Sequence, residues 1–192
     1  VKAVLERCPE EMEFCDKFIS NGLIDKLNKL LDSEFVRLDH KDAIDLLKKA
    51  DRKWEFEPEY GGDLAKEHEK YITEYFNGPV FVKNWPKDIK SYYMKLNPDG
   101  KTVAAVDLEV PVAGEIMGGS QREEDYDKLV KRMKEMGIAT EPLYWYLELR
   151  KYGTDIHSGF GLGFERLLMY ITGMENIRDV IPYPRTPNNC EF

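Results

Sequence analysis

Cysteine is scarce in this 192-residue sequence: Cys8, Cys15 and Cys190 are an odd number with no Cys-x-x-Cys pair, which argues against a disulfide framework or a zinc knuckle. No stretch comes near the ~18–20 consecutive apolar residues of a membrane span, and residues 1–13 are charged without an apolar segment, so neither a span nor a signal peptide is expected. A reducing, cytoplasmic setting follows as the expectation. An excess of positive charge is missing too. Lys and Arg number 28 against 36 Asp and Glu, a net charge of −8, so any contact with a phosphate backbone must be local or fall to another part of a larger protein. Internal repeats, low-complexity segments and a Walker A phosphate loop are also absent. What is present, 42% hydrophobic and 12% aromatic residues, offsets the entropy of ordering and places the chain among globular proteins of about one domain. It opens on Val1 directly into a helix-like pattern, and a piece of something longer is expected.

The texture changes about two fifths of the way along. Residues 1–77 read as mostly helical, with Met12, Cys15 and Ile19, then Leu23, Leu27, Leu30 and Leu31, recurring at helical spacing on either side of Gly22. A short strand over residues 35–38 precedes a helix carrying Ala43, Ile44 and Leu47, and Asp63 is positioned to cap another helix that runs to Phe76. From about residue 78 the pattern is β. Val80-Phe81-Val82 reads as a buried strand, and residues 91–96 and 102–110 flank Asn97-Pro98-Asp99-Gly100, a sequence suited to a type I turn and hence to a hairpin. A strand near residues 115–119 leads to helices over about 123–136, 142–152 and 163–172, which stop at Gly137, Gly153 and Gly173. Strands and helices in separate blocks predict an α+β fold.

Two constellations carry chemistry. In Gly159-Phe160-Gly161-Leu162-Gly163-Phe164-Glu165-Arg166-Leu167 the glycines let a ligand approach the backbone before a helix N-terminus, and an acid and a base sit inside an apolar run, where unpaired charge is costly. The alternative is a glycine-rich turn beside a surface Glu165–Arg166 pair. The second constellation joins Asp107 and Glu115, two carboxylates on neighbouring strands that can hold a hard cation, to Gly118-Gly119-Ser120-Gln121-Arg122, where Arg122 offers a planar fork for carboxylate, phosphate or amide oxygen. The alternative for these acids is a solvated face. Of the three histidines, His40 reads as a helix-start residue and His68 as part of a charged, solvated helix face, while only His157 enters a candidate site. Trp85, Tyr92, Tyr93, Tyr144, Trp145 and Tyr146 are assigned to the core.

The glycine-rich run 159–167 resembles the third signature motif of class II aminoacyl-tRNA synthetases. Phe81-Val82-Lys83-Asn84-Trp85-Pro86, Gly114-Glu115-Ile116-Met117-Gly118-Gly119-Ser120-Gln121-Arg122-Glu123 and Asp179-Val180-Ile181-Pro182-Tyr183-Pro184-Arg185-Thr186-Pro187 are similar to the aspartate, asparagine and lysine branch of that class, most closely to its asparagine-handling members. The resemblance runs along the whole chain. It implies an antiparallel catalytic sheet flanked by helices, ATP and Mg²⁺ as cofactors, and activation of asparagine to its adenylate followed by transfer to tRNA(Asn) by a homodimer. By position, Arg166 would pair with ATP phosphate and Glu115, with Asp107, would hold Mg²⁺. Gly159, Gly161, Gly163, Phe164 and Glu165 would line the nucleotide, and Arg122 with Ser120 would bind the substrate side chain. Counterparts of the family's anticodon-binding barrel and of its first two motifs are missing, so residues 1–192 are expected to be the C-terminal part of a catalytic domain, inactive alone. A synthetase-derived paralogue making asparagine or another small amide without tRNA, and a non-catalytic interaction module, are the competing readings.

Overall fold

A computed structural model describes residues 1–190. Three helices, α1 (Lys2–Arg7), α2 (Pro9–Phe18) and α3 (Leu23–Asp32), lead into strand β1 (Val36–Asp39), then α4 (His40–Lys49), α5 (Lys66–Tyr75) and β2 (Val80–Pro86). Strands β3 (Thr102–Val110) and β4 (Gly114–Gln121) follow, then α6 (Tyr126–Glu135), α7 (Tyr144–Lys151), β5 (Ser158–Leu162) and α8 (Phe164–Thr172). The sheet order is β1-β2-β3-β4-β5, with β2 to β5 antiparallel and β1 parallel to β2. A parallel pair needs a long crossover, and α4 and α5 supply it. The architecture is α+β, as the sequence pattern predicts.

The two faces of the sheet are covered unequally. Val80 and Val82 lie opposite Glu109 and Asp107 in the β2–β3 register, so all four share a face. Over β1–β3 that face is roofed by α4 and α5: Ile44, Leu47, Ile72, Val80, Val82, Trp85 and Val103 form the largest core. The roof thins out over β4, which α5 still touches, and β5 lies bare on the same side. On the opposite face Leu108, Val110 and Ile116 pack with Phe81, Met117 and Tyr170 of α8, and α8 in turn meets α2 and α3 through Ile171, Met12, Cys15, Leu23 and Leu27. Gly173, at φ 76°, provides the left-handed turn that ends α8.

Several local expectations are revised. The glycine-rich run is an edge strand, β5, because its backbone pairs residue by residue with β4 from Met117↔Leu162 to Gln121↔Ser158. The turn at 97–100 forms, with the Gly100 amide donating to the Asn97 carbonyl at 3.0 Å, but residues 91–96 make only the bridges Met94↔Arg122 and Leu96↔Val103, since β4 takes the rest of that edge of β3. Helix α6 starts at Tyr126, where the Asp125 carboxylate accepts the Lys128 amide at 3.0 Å. His68 is buried: its Nδ1 accepts the Ala65 amide and its Nε2–H donates to the Phe56 carbonyl at 2.7 Å, so the α5 start and the 54–63 loop hide it despite its charged sequence neighbours. His40 does the same for the other end of that loop, donating from Nε2 to the Gly62 carbonyl while its ring packs on Trp85 and burial pushes its pKa down. Tyr144 and Trp145 are exposed on α7, whose inner face is taken by Leu147 and Arg150.

Candidate functional site

The bare half of the sheet collects the charged residues that the sequence singled out. Asp107, Gly118 and Gly161 stand in one register row across β3, β4 and β5. Glu115 is three positions before Gly118 and in a regular strand would point to the opposite face. Between Leu108↔Met117 and Glu109↔Glu115 the register slips by one residue, with Ile116 as the extra residue. This bulge returns Glu115 to the Asp107 face, the re-aiming for which bulges recur near functional sites. Glu115 Oε1 and Asp107 Oδ1 consequently lie 2.9 and 3.1 Å from the point that a Cβ on Gly118 would occupy. Glycine at 118 thus leaves room for the two carboxylates as they stand, and a Cβ on Gly161 in the same row would meet open space.

An arginine bounds the row at each end. Arg122 Nη1 donates to Ser120 Oγ at 2.9 Å, the guanidinium lies over the Tyr93 ring, and its Nη2 would be 2.8 Å from a Cβ on Gly159. Only glycine leaves room for that flat fork. Its backbone is set by the His157 carbonyl, which accepts the Arg122 amide at 2.9 Å. At the other end Arg166 runs over Gly163, whose Cβ would be 3.4 Å from the Arg166 Cβ and Cδ, and Nη1 donates to the Glu115 carbonyl at 2.7 Å. No Glu165–Arg166 pair forms among the described residues, since consecutive helix residues point about 100° apart. Glu165 is half-buried and Phe164 exposed at the first turn of α8. From Gly159 to Gly163 the strip is about 13 Å long.

The carboxylates are crowded. Burial pushes the Asp107 carboxyl up, offset by the Lys90 ammonium at 2.7 Å from Oδ2. Burial and then the Asp107 charge push Glu115 up. Glu109, buried two residues beyond Asp107, is driven to about 9 by desolvation and by the charges of Glu69, Glu115 and Asp107, and its Oε2 has no hydrogen-bond partner among the described residues. Two convergent carboxylates, of which only Asp107 is ion-paired, fit a hard cation. Among the described residues no three His, Cys, Asp or Glu side chains group around one point, so such a cation would take two ligands here and the others from water or phosphate, the usual arrangement for Mg²⁺.

The structure thus brings Asp107, Glu115, Ser120, Arg122, Gly159, Gly161, Gly163 and Arg166 to one strip. Lys90, Tyr93, Glu69 and Glu109 belong to its surroundings and were not singled out by sequence. Glu109 was detectable as a second acid at strand spacing after Asp107 in an apolar run. Glu69 was masked by the charged run around it. His157 enters through its carbonyl, and its Nε2 lies 3.4 Å from Nη2 of the buried Arg150, which also donates from Nε to the Glu123 carbonyl. Two cavities, one of about 330 Å³ and one of about 580 Å³, lie elsewhere and are not lined by these site residues. No described helix is long and apolar enough to cross a membrane.

Residues 1–187 match the family model for class II tRNA synthetases (D, K and N). The chain is 61% identical over 190 residues to the asparagine–tRNA ligase of Acholeplasma laidlawii, covering 98% of itself and 41% of that relative. It superposes on the crystal structure of asparaginyl-tRNA synthetase from Pyrococcus horikoshii complexed with asparaginyl-adenylate with a TM-score of 0.82 at 39% identity, over 98% of this chain and 42% of that one. The aspartyl-tRNA synthetase of Entamoeba histolytica aligns as well, with a TM-score of 0.84 at 27% identity, over 98% of this chain and 38% of that one. Backbone shape therefore does not separate the two amino acids.

Proposed function

The chain belongs to the class II tRNA synthetases of the D, K and N group, and from that premise we propose that it is part of an enzyme that activates asparagine with ATP and transfers it to tRNA(Asn). The observation that carries this reading is the convergence of Asp107 and Glu115 over Gly118, between Arg122 at one end of a bare sheet strip and Arg166 at the other. In adenylate formation the carboxylate of the amino acid attacks the α-phosphorus in line and pyrophosphate leaves, so the site works by holding two anions in line and neutralising charge on phosphate. Arg166, at the α8 end, grips phosphate. Gly161 and Gly163 let the nucleotide lie on backbone. Asp107 and Glu115 hold Mg²⁺, which supplies charge neutralisation at the phosphates. Arg122, fixed by Ser120, Tyr93 and Gly159, presents its fork to the asparagine side-chain oxygen. An arginine fork donates to an amide oxygen as readily as to a carboxylate oxygen, so choice of asparagine over aspartate needs a further group that senses the amide nitrogen.

The chain spans 41% of the length of its Acholeplasma relative, and the tRNA contacts, the dimer and the remaining phosphate ligands are assigned to the part beyond it. The net charge of −8 accords with tRNA binding resting there. The working compartment is the cytoplasm. Asparagine-dependent ATP–pyrophosphate exchange, run on the 192-residue chain and on the full-length ligase, tests the assignment. Silence from the first and exchange from the second is the expected result; a full-length protein that exchanges with aspartate in place of asparagine overturns the substrate, and one that exchanges with neither overturns the activity.

A further inference from the structure

We propose that Glu69 is a positioning residue that fixes the Glu115 carboxylate through the Glu115 backbone. The proposal rests on the reading of Asp107 and Glu115 as a cation site.

Glu115 reaches the site face only because of the bulge at Ile116, and a bulge leaves a local gap in the ladder that something must stabilise. Both ends of the Glu115 residue are held by side chains from outside the sheet. Its amide faces the Glu69 carboxylate of α5, and its carbonyl accepts from Arg166 Nη1 of α8 at 2.7 Å. Glu69 Oε2 presses so closely on the hairpin that it takes up the place a Cβ on Gly114 would need, a residue at φ 70° where a side chain would be strained in any case. Glu69 is half-buried beside three other acids, Glu109, Glu115 and Asp63, a placement that costs desolvation and repulsion. A carboxylate kept there at such cost has a specific acceptor role, and the Glu115 amide is the donor it meets. Glu69 also brings α5, the roof of the covered half of the sheet, into contact with the bulge of the bare half, so the rigid core fixes the aim of a site carboxylate.

The test compares Glu69→Ala with Glu69→Gln, which keeps an acceptor oxygen and loses the charge. Two readouts are taken on the full-length protein: amide hydrogen exchange at Glu115, with Gly119 of the same strand as internal reference, and Mn²⁺ affinity in the presence of ATP by electron paramagnetic resonance. The expected result for Glu69→Ala is faster exchange at Glu115 than at Gly119 and about 10-fold weaker Mn²⁺ binding, the loss typical of removing a group that orients a metal ligand. Glu69→Gln restores both. Unchanged Glu115 exchange or unchanged Mn²⁺ affinity in Glu69→Ala overturns the proposal, as does a Glu69→Gln as defective as Glu69→Ala, since charge rather than the acceptor would then be at work. Absence of Mn²⁺ binding by the unsubstituted full-length protein with ATP present would instead overturn the cation site itself, a separate failure visible before any variant is made.

Discussion

The two halves of the sheet are built from different residues. Strands β1–β3 contain no glycine and carry Val80, Val82, Trp85, Val103 and Ala105 into a core roofed by α4 and α5. Strands β4 and β5 hold Gly114, Gly118, Gly119, Gly159 and Gly161, and beyond the part of β4 that α5 touches their face is open, β5 being exposed along most of its length. Glycine within a strand costs roughly 0.5–1 kcal/mol against alanine, so the second half gives up stability. In return Gly118 admits two carboxylates, Gly159 admits a guanidinium and Gly161 leaves open floor. The contrast teaches that rigidity and chemistry are assigned to separate strands of one sheet, and that Glu109 and Glu69, at the seam, bear the strain of joining them.

The sharpest way to break this comparison is to remove the anchor of the stable half. Trp85 is buried, its Nε1 donates to the Val82 carbonyl at 3.0 Å, and the Lys90 ammonium sits over its ring. Trp85→Ala is expected to cost about 4 kcal/mol in urea denaturation and, by releasing Lys90, to loosen Asp107 as well. If the loss is under about 1 kcal/mol, the covered half is not the source of stability. Next in size is Glu109. Its folded-state pKa of about 9 lies above its ordinary value of 4.5, so between those values the folded state holds the extra proton and stability falls as pH rises. Glu109→Gln removes this dependence. The variant is expected to gain about 2 kcal/mol at pH 8 and little at pH 5, read as a pH series of thermal midpoints; a gap that stays constant with pH would show that Glu109 does not carry a raised pKa.

Legibility in the sequence follows the same seam. The covered half announces itself, because Val80-Phe81-Val82 and the 102–110 run are apolar and β-branched, and the helices over 23–32 and 40–49 bury the residues their spacing picks out. The site was legible as residue types, with Asp107, Glu115, Arg122 and Arg166 all noted, but the geometry that unites them was not. By parity Asp107 and Glu115 can share a face, yet Glu115 and Gly118 cannot without a bulge, and Ile116 gives no sign of one. The run 159–163 reads as a turn because glycine is depleted in strands, and only pairing with β4 overrides that preference. Glu69 and His68 mislead for one reason: a charged helix face says nothing of which helix or loop will lie across it.

A smaller effect marks the helix that follows β4. Asp125→Ala removes the acceptor of the Lys128 amide and is expected to cost about 1 kcal/mol without changing ligand binding, measured by thermal denaturation. Equal damage to ligand binding would mean that α6 is coupled to the strip.

The smallest expected change in stability carries the most information about function. Gly161 has an ordinary negative φ and open space where a Cβ would go, so Gly161→Ala should alter stability by less than about 0.5 kcal/mol, or raise it slightly by restricting the unfolded chain. Gly159→Ala is sterically different, because its Cβ would sit 2.8 Å from Arg122 Nη2, the movable end of a side chain that must then swing off the strip. If nucleotide lies against β5, both substitutions weaken binding of Mg-ATP by the full-length protein in calorimetry. Gly161→Ala does so by filling the floor. Gly159→Ala acts through Arg122, so it also weakens asparagine binding, which Gly161→Ala leaves nearly intact. A Gly161→Ala enzyme that binds Mg-ATP normally would mean that the bare half of the sheet is not the nucleotide floor, and the glycines of β5 would then need another reason than a ligand.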